Sequence, residues 1–233
     1  MRLAVLHHLD EPFLGLAERP LRDAGLTLDE RDLQHGDELP SLDEVDGILS
    51  LGGAQSVRDL PEYPILQAEV DLLRAAVEAG VPVLGVCLGG QLLAHAMGAA
   101  VVRAPRRTVA WVELHATGEA AGDPIADALG SPVRGLHWNE DSFELPPSAT
   151  ELLTRNGQGV TAFRAGDSAW GVQFHPEVDA AALERWYARY GAWLGDAGVD
   201  EATARAEDAR HLPAQGDGAE RLFGTFGRIV AAR

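Results

Sequence analysis

Lysine is missing from this chain, and basic residues are few: all 19 are arginine, against 36 acidic residues. Without lysine there can be no lysine-containing phosphate-binding loop, no Schiff-base lysine and no lysine general base. We therefore expect no activation of a substrate by ATP. The formal net charge of −17 repels phosphate backbones and anionic lipid headgroups, so we expect no nucleic-acid partner and no membrane partner.

Cysteine and long hydrophobic runs are also scarce. The single cysteine, Cys87, cannot form an internal disulfide, and a reduced thiol suits the cytoplasm. The apolar run at residues 3–6 is interrupted by His7 and His8, so it is too short for a signal peptide or a membrane-spanning helix. We expect a cytoplasmic protein that needs no metal and no cofactor.

What the chain does have is an alternation of short apolar runs and amphipathic stretches. This order predicts right-handed crossovers and a mostly parallel sheet with helices on both faces. Further on, closely spaced extended pieces predict antiparallel strands added at one end of the sheet. The predicted strands lie at 3–6, 26–28, 47–51 and 83–86, the predicted helices at 13–24, 65–79 and 88–97, and the later extended pieces at 100–102, 109–114, 133–136, 151–153, 160–163 and 170–174.

The C-terminal part is predicted to be helical. One helix is expected over residues 180–193, and two more over 200–233, separated by Pro213 and the Gly-Asp-Gly stretch at 216–218. We therefore divide the chain into an α/β domain at 1–195 and a helical extension at 196–233.

Cys87 lies where the strand at 83–86 meets the helix at 88–97, with no room for a loop between them. A residue in that position must form a sharp turn, which needs small neighbours such as Gly85, Gly89 and Gly90. This is the sequence context of a nucleophile elbow, with sulfur in place of the usual oxygen. The start of the helix also favours thiolate over thiol, which activates the sulfur.

A thiolate nucleophile needs an acid–base partner, and the end of the last predicted strand offers one. His175 follows that strand, at the carboxyl end where open parallel sheets place their sites. Glu177 lies two residues further on, close enough to bond one imidazole nitrogen and leave the other for Cys87. We interpret six other histidines as ordinary surface or core residues: His7, His8, His35, His95, His115 and His211.

Three segments together resemble the class I glutamine amidotransferase family, the type with a Cys-His-Glu triad. They are LGVCLGGQ at 84–91, FHPE at 174–177 and the Gly-Gly-x-x-Ser loop LGGAQSV at 51–57. The resemblance covers about residues 3–193 and implies a flavodoxin-like fold. The C-terminal part resembles the stand-alone, GMP synthase-like members, which carry no synthase domain.

The resemblance implies a role for each matching residue. Cys87 would be the nucleophile, His175 the general base and acid, and Glu177 the residue that orients it. The backbone N–H groups of Gly53 and Leu88 would form the oxyanion hole. The implied substrate-binding residues are Gly52, Gln91, Asn139, Glu140 and Asp141.

The loop at 136–143, LHWNEDSF, departs from the family, since Asn139 and Glu140 stand where a His-Gly pair is common. Glu140 adds bulk and negative charge there, so the substrate is left open between glutamine and a related γ-glutamyl compound. The expected reaction is hydrolysis of the γ-carboxamide through a glutamyl thioester on cysteine.

Three alternatives remain at this point. The chain could be the ammonia-supplying subunit of a separate synthase, or a catalytically silent binding protein with the same fold. It could also be a cysteine hydrolase or stress protein of the wider flavodoxin-like superfamily. That last group typically places a histidine directly after the elbow cysteine, where this chain has Leu88.

Overall fold

The computed structural model describes residues 1–156 and 158–233, and within these residues nine strands form a single sheet. Its spatial order is β2-β1-β3-β4-β9-β8-β7-β5-β6. The strands are β1 (Arg2–His8), β2 (Thr27–Asp32), β3 (Gly47–Gly53), β4 (Val83–Val86), β5 (Val101–Ala116), β6 (Val133–Phe143), β7 (Thr150–Arg155), β8 (Gln158–Ala165) and β9 (Ala169–Val172).

The sheet has a parallel part and an antiparallel part. β2, β1, β3, β4 and β9 run parallel to one another, whereas each pairing from β9 through β8, β7, β5 and β6 is antiparallel. The predicted flavodoxin-like α/β architecture with an antiparallel extension is therefore confirmed. β4 and β9 lie next to each other in the centre of the sheet. They are far apart in sequence, since β4 ends at residue 86 and β9 begins at residue 169.

Helices cover both faces of the sheet because the central strands are apolar on both sides. Leu3 and Val5 of β1 point into one hydrophobic cluster, and Ala4 and Leu6 point into another. The first cluster is closed by α1 (Glu18–Asp23), α4 (Pro124–Leu129) and α7 (Glu201–Ala231), and the second by α2 (Pro64–Glu78) and α3 (Leu88–Ala96). Among the described residues, no helix is both long enough and apolar enough to cross a membrane.

The prediction of two helices after residue 200 is wrong, because α7 is a single helix that continues through Pro213. Contacts on both sides of the proline hold it. Asp208 accepts a hydrogen bond from Trp111 Nε1 at 2.8 Å, and Gln215 Nε2 donates to the Val178 carbonyl oxygen at 2.6 Å. Tertiary packing therefore outweighs the loss of a helical hydrogen bond at the proline.

The far end of α7 packs into the protein core. Leu222, Phe223, Phe226 and Val230 are fully buried in the same cluster as Leu3 of β1. The C-terminal helix thus closes one face of the sheet. The division of the chain at residue 195 stays a prediction.

Two other boundaries differ from prediction. The extended pieces at 100–102 and 109–114 belong to one strand, β5, whose pairing with β6 is irregular between Arg103 and Thr108. The helix predicted at 180–193 is divided at Gly191 into α5 (Ala180–Tyr190) and α6 (Ala192–Ala197). Both changes lie next to the site described below, where the chain has to bend around it.

Close packing of the elbow helix on the sheet makes a testable prediction about Gly89. A Cβ at this position would lie 2.6 Å from the Ser50 carbonyl carbon, which is backbone and cannot move aside. We expect Gly89→Ala to lower the free energy of unfolding by at least ~2 kcal/mol. The matched control is Gly218→Ala in α7, where a Cβ meets nothing within 4 Å, and which should stabilise by about 0.5–1 kcal/mol. Urea unfolding would measure both, and equal midpoints would contradict the packing described.

Candidate active site

Cys87 occupies a sharp turn between β4 and α3. Its backbone has φ 51° and ψ −104°, a conformation that costs a residue with a side chain about 1–3 kcal/mol. The strand and helix on either side hold the turn in place, because a Cβ at Gly85 would lie 2.5 Å from the Gly89 carbonyl oxygen. The Cys87 N–H donates to the Val172 carbonyl oxygen of β9 at 2.8 Å. The turn predicted from the sequence is therefore confirmed.

His175 and Glu177 lie beside this turn because β4 and β9 are parallel neighbours, with Val86 opposite Val172. His175 Nδ1 is 2.8 Å from Glu177 Oε1, and both side chains are buried. With Nδ1 bonded to the carboxylate, Nε2 is the ring nitrogen left to exchange a proton. The structure thus brings the three predicted catalytic residues into one buried group.

The charges around His175 set its protonation state. Burial lowers the pKa of its imidazole, but the opposing charges of Cys87 and Glu177 outweigh burial and raise the pKa to about 10. The ring therefore carries a proton at neutral pH and can balance a thiolate. Burial, and then the charge of His175, lowers the pKa of the neighbouring His137 to about 3, so that ring is neutral.

The protonated His175 beside Cys87 makes a testable prediction about the reactivity of this thiol. We expect iodoacetamide to alkylate it at neutral pH faster than it alkylates a small-molecule thiol, since the helix start and the protonated His175 both favour thiolate. In His175→Ala the positive charge is gone, and alkylation should slow. Mass spectrometry of the intact protein over time would measure both rates. A wild-type rate no greater than that of the free thiol would contradict the arrangement.

Gly52 and Gly53, at the end of β3, lie against the reactive group. A Cβ at Gly52 would lie 2.9 Å from His175 Cε1 and 3.7 Å from Cys87 Cβ. One at Gly53 would lie 2.6 Å from Leu88 Cδ2. Glycine is therefore favoured at both positions by the lack of room for a side chain, not by the backbone conformation. The same distances show that Gly53 lies next to Leu88.

Gln91 and Asn139 converge on one backbone oxygen. Both side-chain amides donate to the Asp141 carbonyl oxygen, each at 2.9 Å. Gln91 Nε2 is also 3.4 Å from Gln173 Oε1, and Gln173 Nε2 reaches Cys87 Sγ at 3.8 Å. Gln173 was not predicted as a site residue, although it lies two residues before His175 and so faces the same side of the chain. These amides link the elbow to β6.

The carboxylate of Glu140 is paired with two arginine side chains. Arg107 Nε donates to it at 2.8 Å, and Arg103 donates to its other oxygen. Partial burial raises the pKa of Glu140, but the two arginines outweigh burial and hold the pKa below its usual range. The neighbouring Asp141 accepts from Ser56 of the Gly-Gly-x-x-Ser loop and lies 3.5 Å from Arg58. The negative charges in this loop are therefore neutralised by cations.

A buried polar chain behind the glycine loop was missed by the sequence analysis. His8 Nε2 is 2.7 Å from Glu69 Oε2, and Ser50 Oγ donates to Glu69 Oε1 at 2.6 Å. All three residues are buried, so the interpretation of His8 as an ordinary histidine left out this contact. A signal was present, since Glu69 falls on the apolar face of α2 with Leu66 and Val70, where a carboxylate needs a partner. Ser50 directly precedes the loop that carries Gly52 and Gly53.

The described part of the chain holds no cluster of three or more His, Cys, Asp or Glu side chains that could bind a metal ion. A flavodoxin-like fold that carries a cysteine on a strained strand-to-helix turn, with a histidine and a carboxylate beside it, defines a class of protein whose geometry can support nucleophilic catalysis by a thiol. More narrowly, this chain belongs to the class-I glutamine amidotransferase family, whose model matches residues 16–189.

Individual relatives agree with that assignment. The glutamine amidotransferase-like protein YfeJ of Salmonella typhimurium is 31% identical over 188 residues, covering 79% of each chain. A glutamine-hydrolysing GMP synthase of Thermomicrobium roseum is 37% identical over 137 residues, which are 57% of this chain but only 23% of that enzyme. The crystal structure of a glutamine amidotransferase from Thermotoga maritima superimposes with a TM-score of 0.85, at 26% identity and 97% coverage of both chains.

Proposed function

We propose that this protein hydrolyses the γ-carboxamide of glutamine or of a related γ-glutamyl compound through a glutamyl thioester on Cys87. The observation that carries the proposal is the buried group of Cys87, His175 and Glu177 at the carboxyl ends of two adjacent parallel strands. Family membership supports the acyl group, because glutamine is named in the family's description. The pKa of His175, raised to about 10, supports a protonated imidazole that can give its proton to the leaving group.

The proposed reaction has two steps. The Cys87 thiolate attacks the carboxamide carbon, forming a C–S bond and moving the carbonyl electrons onto oxygen. The N–H groups of Gly53 and Leu88 stabilise this oxyanion, each by about 3 kcal/mol. When the C–N bond breaks, protonated His175 gives its proton to the departing nitrogen, which leaves as ammonia or an amine.

In the second step His175, now neutral, takes a proton from water as the water attacks the thioester. Collapse of the second oxyanion breaks the C–S bond, releases glutamate and restores both thiolate and imidazolium. Glu177 holds the ring in the tautomer that both steps need. No metal, cofactor or nucleotide takes part in this cycle.

Recognition of the glutamyl group is assigned to Gly52, which lies against His175, and to the wall of the site formed by Gln91, Asn139, Glu140 and Asp141. Asn139 is buried and its Nδ2 donates to the Asp141 carbonyl oxygen, so we assign its Oδ1 to accept a hydrogen bond from the substrate α-amino group. Because Glu140 is paired with arginines, its charge does not oppose the substrate α-carboxylate.

A screen of γ-glutamyl compounds for amine or ammonia release, with glutamine included, tests the proposal. Hydrolysis by the isolated chain supports a stand-alone hydrolase acting on a small molecule. A Cys87 that reacts with an electrophilic glutamine analogue while no γ-glutamyl compound is hydrolysed would favour the ammonia-supplying subunit of a separate synthase. That second candidate is supported by the GMP synthase relative, of whose length this chain spans 23%. Neither labelling nor hydrolysis would favour the catalytically silent binding protein.

A further inference from the structure

Four aromatic side chains line one side of the active site. Trp138 of β6, Trp186 and Tyr190 of α5, and Trp193 of α6 surround a slot of about 30 Å³, whose inner end is formed by Gly52, Gly53 and His175. We call this the aromatic slot. The Trp186 ring meets the His175 ring edge-on, with 4.8 Å between the ring centroids, and Trp138 packs against Trp186 at 5.5 Å.

The position of His175 indicates which part of a substrate faces the aromatic slot. His175 is the group that protonates the departing nitrogen, so the nitrogen lies on the His175 side of the scissile carbonyl. Glutamyl recognition is assigned to the opposite wall at Gln91 and Asn139. Whatever is attached to the departing nitrogen therefore points into the aromatic slot.

Charge decides what kind of substituent fits. His175 is protonated at the inner end, and the guanidinium of Arg107 lies over the Trp193 ring, 4.2 Å from its centroid. The charge of Arg107 is balanced by Glu140 and Asp196. The cation that matters here is therefore protonated His175, which opposes a positive charge placed directly against it even though aromatic rings attract cations. A neutral apolar or aromatic group instead gains the hydrophobic and ring–ring contacts that the slot offers.

The space beyond the slot also exceeds what ammonia requires. A second cavity of about 270 Å³ shares Leu9, Trp186 and Tyr190 with the aromatic slot. Its lining adds the Phe13 ring and two side chains of each charge, which balance one another: Asp10, Glu11, Arg185 and Arg189. Because Trp186 and Tyr190 line both spaces, the slot and the cavity are adjacent. An elongated substituent can extend through the slot into this cavity, whereas the NH₂ group of glutamine would fill neither.

We infer that the preferred substrates are γ-glutamyl amides whose nitrogen carries an apolar or aromatic substituent, and that the aromatic slot and the adjoining cavity of about 270 Å³ together bind this substituent. The inference rests on the proposed function and specifies its leaving group. Burial of a phenyl ring should raise kcat/KM by about 10- to 100-fold.

The test compares γ-glutamyl phenethylamide with γ-glutamyl ethylamide and glutamine. Both amides release a primary alkylamine, so the two leaving groups are similar in basicity. The phenyl ring is then the main difference between the two substrates. We expect the phenethylamide to exceed the ethylamide at least tenfold in kcat/KM. Trp193→Ala should bring this ratio towards one, while Tyr63→Ala, at an exposed aromatic residue before α2, should keep it. A ligand-protection assay, in which each amide shields Cys87 from iodoacetamide, reports the relative binding of the two amides without requiring turnover, and we expect the phenethylamide to protect at lower concentration.

The outcomes separate the two claims. If glutamine and the ethylamide are hydrolysed as well as the phenethylamide, or protect Cys87 as well, the inference is overturned and the proposed function stands. If the preference is present but survives Trp193→Ala, the aromatic slot does not bind the substituent, and the inference is equally overturned. If none of the three compounds is hydrolysed or protects Cys87, and an electrophilic glutamine analogue does not label it, the proposed function fails and the inference with it.

Discussion

Cys87→Ala is expected to lower hydrolysis of the γ-glutamyl substrate by at least ~10⁴-fold, because it removes the atom that forms the covalent bond. In the wild-type enzyme, rapid acid quenching during turnover followed by mass analysis should find one added glutamyl group on the peptide that contains Cys87. The same peptide from Cys87→Ser should carry none.

The alanine variant is a well-matched comparison for folding. Alanine and cysteine pay a similar penalty for φ 51°, since both carry a Cβ, so the strained turn is no harder to form in the variant. Circular dichroism and thermal unfolding should therefore agree with the wild type. Full-rate hydrolysis by a folded Cys87→Ala enzyme would place the nucleophile elsewhere and sink the proposed mechanism.

His175→Ala is expected to be nearly as severe, at about 10⁴-fold, because the proton carrier for both steps is lost. Glu177→Gln should be at least ~10-fold milder, since an amide can still hold the ring, though it also permits the wrong tautomer. Steady-state kinetics of the two folded variants would give the comparison. A folded Glu177→Gln enzyme that is less active than His175→Ala would reverse the assigned roles.

The dependence of kcat on pH distinguishes an electrostatic role of Glu177 from a purely structural one. The carboxylate charge is one of the causes that raise the pKa of His175 to about 10, so its removal should lower that pKa. Because His175 must be protonated to release the amine, the alkaline limb of kcat should move to lower pH in Glu177→Gln. The matched control is Glu184→Gln on α5, whose carboxylate is exposed and pairs with Arg205. This control should leave both the rate and the profile unchanged.

The parts of the site that were predictable from the sequence depend on short covalent spacings. Cys87 lies directly between a strand and a helix, so one stretch of chain contains both the nucleophile and the turn that exposes it. Glu177 lies two residues from His175, which nearly determines their hydrogen bond. The parallel sheet was also predictable from local order, because strands that alternate with helices are joined by right-handed crossover connections.

What only the tertiary structure decided involves residues far apart in the chain. The contact of His8 with Glu69 spans 61 residues, and that of Arg107 with Glu140 spans 33. No local pattern identifies such partners, because a buried carboxylate or an arginine on a strand can pair with any opposite charge that folding brings near. The negative charge expected at Glu140 is balanced by arginines of β5, and only the pairing of β5 with β6 shows this.

The same reason explains α7 and the aromatic slot. Pro213 lowers helix propensity locally, but contacts of Asp208 and Gln215 with distant parts of the fold hold the helix continuous. Likewise Trp138 and Trp193 belong to different elements and meet only when β6 and α6 pack around His175. The sequence by itself therefore determined the family and its expected chemistry through local motifs. Tertiary packing alone decided which side chains line the proposed leaving-group site, because it brings Trp138 next to residues 186–193, which lie far from it in the chain.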